Sequence, residues 1–364
     1  MNTMEFSKNN NSGLNPELFE RDINGVKSQL FVLKNSQGME VCVTNYGATL
    51  VSILAKDKNG QYSNVVLGHD SIESILNSPE PFLSTVIGRY ANRIANGKCM
   101  LDGQLLTLPV NNGPNHLHGG PEGFHAVVWE ARQTDEQSLI LNHVSPDGHA
   151  GFPGTVSVEL VYHLNDNNEF VMDYSATTDK RTILNLTNHA FFNLNGLATP
   201  SASIEDNIVE IFADFYTPID DTSIPTGEVA SVKNTPFDFT TPAAVGSRIE
   251  EENEQLKNGA GYDHNYVLRK RYTGELTKAA TCLDPKSGRK LTVLTTEPGV
   301  QLYTGNWLNG FAGMHGTTYP ARTAICFEAQ HFPDSPNKPH FPSATLSPGE
   351  EYRQTTIYAF SVED

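Results

Sequence analysis

The chain of 364 residues carries 42 Asp and Glu against 25 Lys and Arg, a formal net charge of −17. That balance argues against nucleic acid or an anionic membrane as partner, and against a strongly anionic substrate, while leaving a neutral one open. No apolar run approaches the ~18 residues of a membrane-spanning helix, and Met1 to Asn15 is polar, without the basic flank and apolar core of a secretory leader. The four cysteines, Cys42, Cys99, Cys282 and Cys326, contain no Cys-x-x-Cys pair. They read as buried free thiols in a reducing compartment, so a cytoplasmic location is expected, or a periplasmic one if a leader has been removed.

In chain order the period is two almost everywhere. Residues 1–23 form a polar N-terminal segment, expected as an edge strand or as disordered chain. Leu30–Leu33, Met39–Val43 and Leu50–Leu54 are short strand-like runs, and Ser71–Asn77 reads as one short helix. Gly97–Leu101 and Gln104–Leu108 flank Asp102-Gly103, a pair that tolerates the positive φ angles of a type I′ hairpin turn. Thr155–Leu164 places Val156, Val158, Leu160, Tyr162 and Leu164 on one face, and Glu169–Ala176 repeats the pattern. Ile249–Leu256 is a short amphipathic piece, Thr277–Leu283 and Lys290–Thr296 pair around a turn, and Thr355–Phe360 closes the chain. Many short strands with Gly, Pro and Asn turns predict an all-β fold: one large antiparallel β-sandwich with few short helices, spanning residues 24–364 as a single catalytic domain.

Chemistry gathers in a few segments. Thr323–Gln330 reads as a strand with Glu328 in apolar company, where a carboxylate is costly unless something needs it. Gly88-Arg89-Tyr90-Ala91-Asn92-Arg93 sets two arginines four apart, each either salt-bridged at a surface turn or holding a hydroxyl. His116-Leu117-His118 in an extended segment puts two imidazoles on one face, but no neighbour supplies a third metal ligand, so a sugar- or acid-contacting histidine is the better reading. His189 ends a run of Asn and Thr able to fix one tautomer and precedes two phenylalanines. Asp263 either binds hydroxyls or braces a loop, and the amide of Gln301, between apolar neighbours, can read a hydroxyl as donor and acceptor. The chain has no GxSxG, P-loop or GxGxxG motif.

At these residues the sequence resembles the aldose 1-epimerase (galactose mutarotase) family. The resemblance rests on GRYANRI (88–94), LHGG (117–120), SPDG (145–148), NLTNHAFFNL (185–194), YDHN (262–265), PGVQLYTGN (298–306) and CFEAQHFPD around Glu328, in the family's order from about Gly25 to the end. It implies the family's supersandwich with an open cleft across one sheet. It also implies Glu328 as general base, His189 as general acid and His118 as a second catalytic histidine. Asn92, Arg93, His118, Asp263 and Gln301 follow as substrate contacts, with no metal and no cofactor. The substrate would be a free monosaccharide, and the protein a monomer or homodimer. The implied reaction is α/β interconversion of aldohexoses such as D-galactose and D-glucose, with Glu328 ionised and His189 protonated at the start. The rivals are a hexose-6-phosphate mutarotase, which needs extra cations at the cleft, a glycosidase, for which Asp263 is the only second carboxylate, and a non-catalytic sugar-binding protein.

Overall fold

Strict alternation builds the larger of two layers. In the computed structural model, which describes residues 9–197 and 202–363, the strand Val156–Leu164 buries Val156, Val158, Leu160, Tyr162 and Leu164 and turns its other side chains outward. Its partner Glu169–Thr178 buries Phe170, Met172, Tyr174 and Ala176 in the same way. Branched and aromatic side chains at every second position fit a pleated surface that is wet on one side. Nine antiparallel strands follow this logic, in the order Glu130–Gln133, Ser138–Ser145, Val156–Leu164, Glu169–Thr178, Tyr352–Val362, Arg289–Thr295, Thr277–Leu283, Ile208–Ile211 and Ala243–Ala244.

Opposite this layer lie a four-stranded sheet, Leu30–Lys34 to Tyr62–Asn64, and a five-stranded sheet. The latter runs Ala230–Ser231, Ala213–Tyr216, Asp263–Leu268, Gly299–Tyr303 and Cys326–Gln330. One apolar core joins all three sheets, with Leu160 and Tyr162 of the large sheet clustered with Leu50 and Ile53 of the second and Tyr266, Leu302 and Phe327 of the third. The all-β, antiparallel reading of the sequence holds, and the described residues include two short α-helices, Ile72–Leu76 and Glu254–Gly259.

The differences are local. The amphipathic piece expected over 249–256 starts later, because the Asn253 side chain accepts from the N–H groups of Gln255 and Leu256 and so caps the helix at that point. The strand around Glu328 spans Cys326–Gln330, shorter than the apolar run. Asp102 and Gly103 take φ +51° and +77°, as a type I′ turn demands. Residues 1–8 of the N-terminal segment lie outside the described residues. Farther along, Leu14 and Phe19 pack with Leu30, Val32 and Cys42, and Arg21–Ile23 pairs with Val26–Ser28 in a hairpin that straddles residue 24.

Candidate active site

Three strands of the five-stranded sheet carry the site because their alternation has polar residues on the second face. His264, Leu302 and Phe327 form one cross-strand row and point into the apolar layer, where His264 packs against Phe237 at 4.5 Å. The next residues along, Asn265, Gln301 and Glu328, form a row on the opposite face, and Asp263, Tyr303 and Cys326 form the row beside it. All six are buried. Buried polar groups are ordinarily hydrogen-bonded. Here Asn265 Nδ2 and Oδ1, Gln301 Oε1 and Glu328 Oε2 have no partner among the described residues. Of these three residues, Glu328 lines the cleft completed by the loops.

Loops complete the cleft. Arg93–Ile94 pairs with His116–Leu117, which brings the GRYANRI and LHGG segments together. Gly119 seals that junction: at φ +83°, a Cβ there would lie 1.9 Å from the Gly88 carbonyl oxygen. Asn92 and His118 then hold each other, His118 N–H donating to Asn92 O at 3.0 Å and Asn92 N–H to His118 Nδ1 at 3.1 Å. Opposite, Thr187–Asn188 pairs with Val86–Ile87 and delivers His189, whose ring stacks on Phe191 at 4.8 Å and meets His118 edge-on at 5.2 Å. His189 Nε2 lies 3.5 Å from Glu328 Oε1.

The cleft encloses about 1030 Å³, and Glu328, His189, His118, Asn92, Arg93 and Asp263 all line it. Gln301 does not reach the wall: its Nε2 donates to Asp263 Oδ1 at 2.7 Å from behind. Asp263 Oδ2 in turn faces Arg93 Nη1 at 3.7 Å. Of the two arginines, Arg89 is spent on structure, donating to Ser145 Oγ and to the carbonyls of Ser145, Pro146 and Pro153. The SPDG segment is therefore a loop pinned by Arg89, and Arg93 is the guanidinium at the cleft.

Two expectations need correcting. His116 and His118 do not share a face, because φ of +53° at His118 breaks the strand geometry. His116 instead packs on Phe152 and bonds to Pro109 O. The Asn and Thr around His189 do not fix its tautomer either. Asn188 Nδ2 donates to Tyr162 OH, Asn185 Nδ2 to Ala91 O and His331 O, and His189 Nδ1 has no partner among the described residues.

His118, His189 and Glu328 bring potential metal-ligand atoms within 4.8 Å of one another. The donor chemistry does not suit an ion. Nδ1 of His118 already accepts the Asn92 N–H, so the proton of the neutral ring sits on Nε2, which donates and cannot ligate. Burial, helped by the neighbouring His189 and Arg93, holds the His118 pKa well below the ordinary histidine value. Burial likewise pushes His189 down to about 3. It pushes Glu328 well above the carboxylate range, with the Asp263 charge adding to the effect and Arg93 opposing it.

Sequence reasoning missed Tyr303, Phe82, Trp307 and Glu80, which line the same cleft. Tyr303 was within reach, since it lies two residues beyond Gln301 on the same strand face. The others sit on loops, where no periodicity marks them.

An antiparallel β-sandwich that opens a polar cleft over a buried carboxylate–imidazole pair defines a carbohydrate isomerase or hydrolase scaffold. The family described as aldose 1-epimerase matches residues 29–359. Galactose mutarotase of Bos taurus is 43% identical over 337 residues, covering 91% of this chain and 94% of that protein. Aldose 1-epimerase of Escherichia coli (strain K12) is 36% identical over 341 residues, covering 93% and 97%. Among solved structures, the GalM/aldose epimerase homologue of C. elegans superposes with a TM-score of 0.84 at 32% identity, covering 93% of this chain and 100% of that one. Galactose 1-epimerase from Lactobacillus acidophilus NCFM gives a TM-score of 0.82 at 30% identity, covering 94% and 97%. The chain belongs to the aldose 1-epimerase family, and it is an isomerase of aldoses.

Proposed function

We propose that the chain interconverts the α and β anomers of free aldohexoses such as D-galactose and D-glucose, with Glu328 and His189 as the acid–base pair. The observation that carries this reading is their 3.5 Å approach on the floor of the cleft. The pair works with one shared proton. In the Glu⁻/HisH⁺ form, Glu328 takes the proton of the anomeric hydroxyl while His189 protonates the ring oxygen, and the C1–O5 bond opens to the aldehyde. Glu328 is then a carboxylic acid and His189 a neutral ring. After the C1–C2 bond rotates, Glu328 returns its proton to the carbonyl oxygen and His189 takes back the proton of the O5 hydroxyl, which closes the other anomer.

Burial bears on this cycle directly. Both pKa displacements favour the neutral Glu–COOH/imidazole form, which is the form present beside the open-chain aldehyde. Reaction from the closed ring therefore passes through the less favoured ion-pair form, which the desolvated floor makes reactive and short-lived. His118, as an Nε2–H donor, holds a sugar oxygen. Arg93 and Asp263, braced by Gln301, take ring hydroxyls, and Asn92 lines the same wall. A positioned acid or base contributes ~10²–10⁴-fold, ample for a reaction that already proceeds in water.

Asp263, the second carboxylate that the sequence offered for glycoside hydrolysis, is committed to Gln301 and Arg93. All the residues invoked come from one chain, so a monomer or homodimer would suffice. The four cysteines are buried and free, as suits a reducing, cytoplasmic setting. The test is polarimetry of freshly dissolved α-D-galactose and α-D-glucose. Faster decay to the equilibrium rotation with protein supports the reading, and an unchanged decay for both sugars refutes it.

A further inference from the structure

The acid–base chemistry does not use Glu80. It stands between two prolines in the loop Ser78-Pro79-Glu80-Pro81-Phe82, and its backbone is held from both sides by Ser78, whose Oγ donates to Glu80 O at 3.0 Å and accepts from Glu80 N at 3.2 Å. Its Oε1 accepts the Phe82 N–H at 3.2 Å. The Phe82 ring is wedged edge-on between His118 and His125, each at 4.7 Å. The carboxylate is thus anchored at one oxygen on a stiff segment that itself packs on a histidine of the site. The residue is half-buried and lines the cleft together with Glu328, Asp263, Tyr303 and Trp307.

We propose that Glu80 is a further sugar-contacting residue. Its unanchored oxygen accepts a hydroxyl of the pyranose, and with Asp221 and Asp263 it makes the cleft selective for uncharged over anionic sugars. The inference rests on the mutarotase reading and deepens it. The charge balance at the wall supports it, since Glu80, Asp221 and Asp263, apart from the buried Glu328, line the cleft against Arg93 and Lys257 as cations. Like charges on the same partly desolvated wall penalise a carboxylate or phosphate on the substrate, whereas a hydroxyl meets an acceptor. Burial pushes Glu80 up to about 7, with the Phe82 N–H opposing the shift. The groups facing it are Tyr303, Cys326 and Glu328, where its charge is felt, His118 and His125 through Phe82, and Asp263, Arg93, Asp221 and Lys257 around the cleft.

The experiment compares wild type, Glu80→Gln and Glu80→Ala with α-D-galactose and with D-galacturonate, an anionic sugar on the same ring. Gln keeps an acceptor for the Phe82 N–H, so that variant retains the loop. We expect KM for galactose to rise about tenfold, the worth of one charge-assisted hydrogen bond, with kcat nearly unchanged. The preference for galactose over galacturonate should shrink by at least a similar factor. In wild type, KM for galactose should fall as pH rises through about 7, and in Glu80→Gln it should stay level. Wild-type KM, sugar preference and pH profile in Glu80→Gln would overturn the inference, even if Glu80→Ala proved unstable. A wild-type protein inert toward galactose would instead overturn the underlying mutarotase reading.

Discussion

Two carboxylate–histidine pairs of this fold, one buried and one with its histidine part-exposed, behave in opposite ways. Glu297 and His331 meet at 2.6 Å in a made hydrogen bond. Burial alone would lower the His331 pKa, but the charge and hydrogen bond of Glu297 outweigh it and hold the proton on the ring. Glu328 and His189 stop at 3.5 Å, and burial prevails there, pulling the histidine down and pushing the carboxylate up. Glu328 and His331 are three residues apart on one segment, so local composition does not separate the pairs. The difference is satisfaction. The first pair is closed by its own hydrogen bond, as a structural ion pair is. The second keeps Glu328 Oε2 and His189 Nδ1 without partners among the described residues.

The largest expected effect falls on the loose pair. His189→Asn should lower kcat for anomer exchange about 10²–10⁴-fold without lowering the thermal midpoint at pH 7, as polarimetry and circular dichroism melts would record. If the distinction is wrong, turnover survives the change. Glu297→Gln should do the reverse, costing about 1.5–3 kcal/mol of stability in denaturant titration by removing the charged partner of His331, with kcat close to wild type. A large kcat loss there would merge the two pairs into one network.

The pH dependence of stability sharpens the contrast. Glu297 raises the folded pKa of His331 above the ordinary histidine value of 6.5, so its contribution is complete below 6.5 and fades as pH rises through the folded value. His189 is lowered from 6.5 to about 3, so its contribution is complete above 6.5 and is lost as pH falls toward 3. Melts across pH should therefore lose their acid-side slope in His189→Asn and their neutral-to-alkaline slope in Glu297→Gln. Unchanged slopes would mean that other groups set the profile. The smallest expected effect is none. EDTA should leave the rate untouched, because the His118 tautomer suits donation. A loss reversed by a divalent ion would return His118, His189 and Glu328 to the role of ligands.

Much of this was readable before any coordinates. Alternation over Thr155–Leu164 and Glu169–Ala176 translated directly into the large sheet, because a half-wet strand has only one way to face its core. Glu328, His189, His118, Asn92, Arg93 and Asp263 were all marked by polar residues in apolar or glycine-rich company, and all six meet at one cleft. What stayed hidden depends on long-range contact. That Arg89 serves the loop at 145–153 while Arg93 faces the cleft follows from register, which spacing does not carry. The divergence of His116 and His118 comes from a single positive φ angle. Gln301 donates to Asp263, a partner that spacing along the chain does not reveal. Glu80 gave no periodic signal, since the loop that carries it is positioned by Ser78 and Phe82 and not by a sheet.

The account stands or falls on Glu328. Anomer exchange of D-galactose, followed by the decay of optical rotation with wild type and with Glu328→Gln at pH 7, tests it most directly. The account predicts that the variant folds and melts like wild type yet exchanges anomers at least a hundredfold more slowly, about the least that loss of a positioned base costs. Near-normal turnover by a folded Glu328→Gln protein would contradict it.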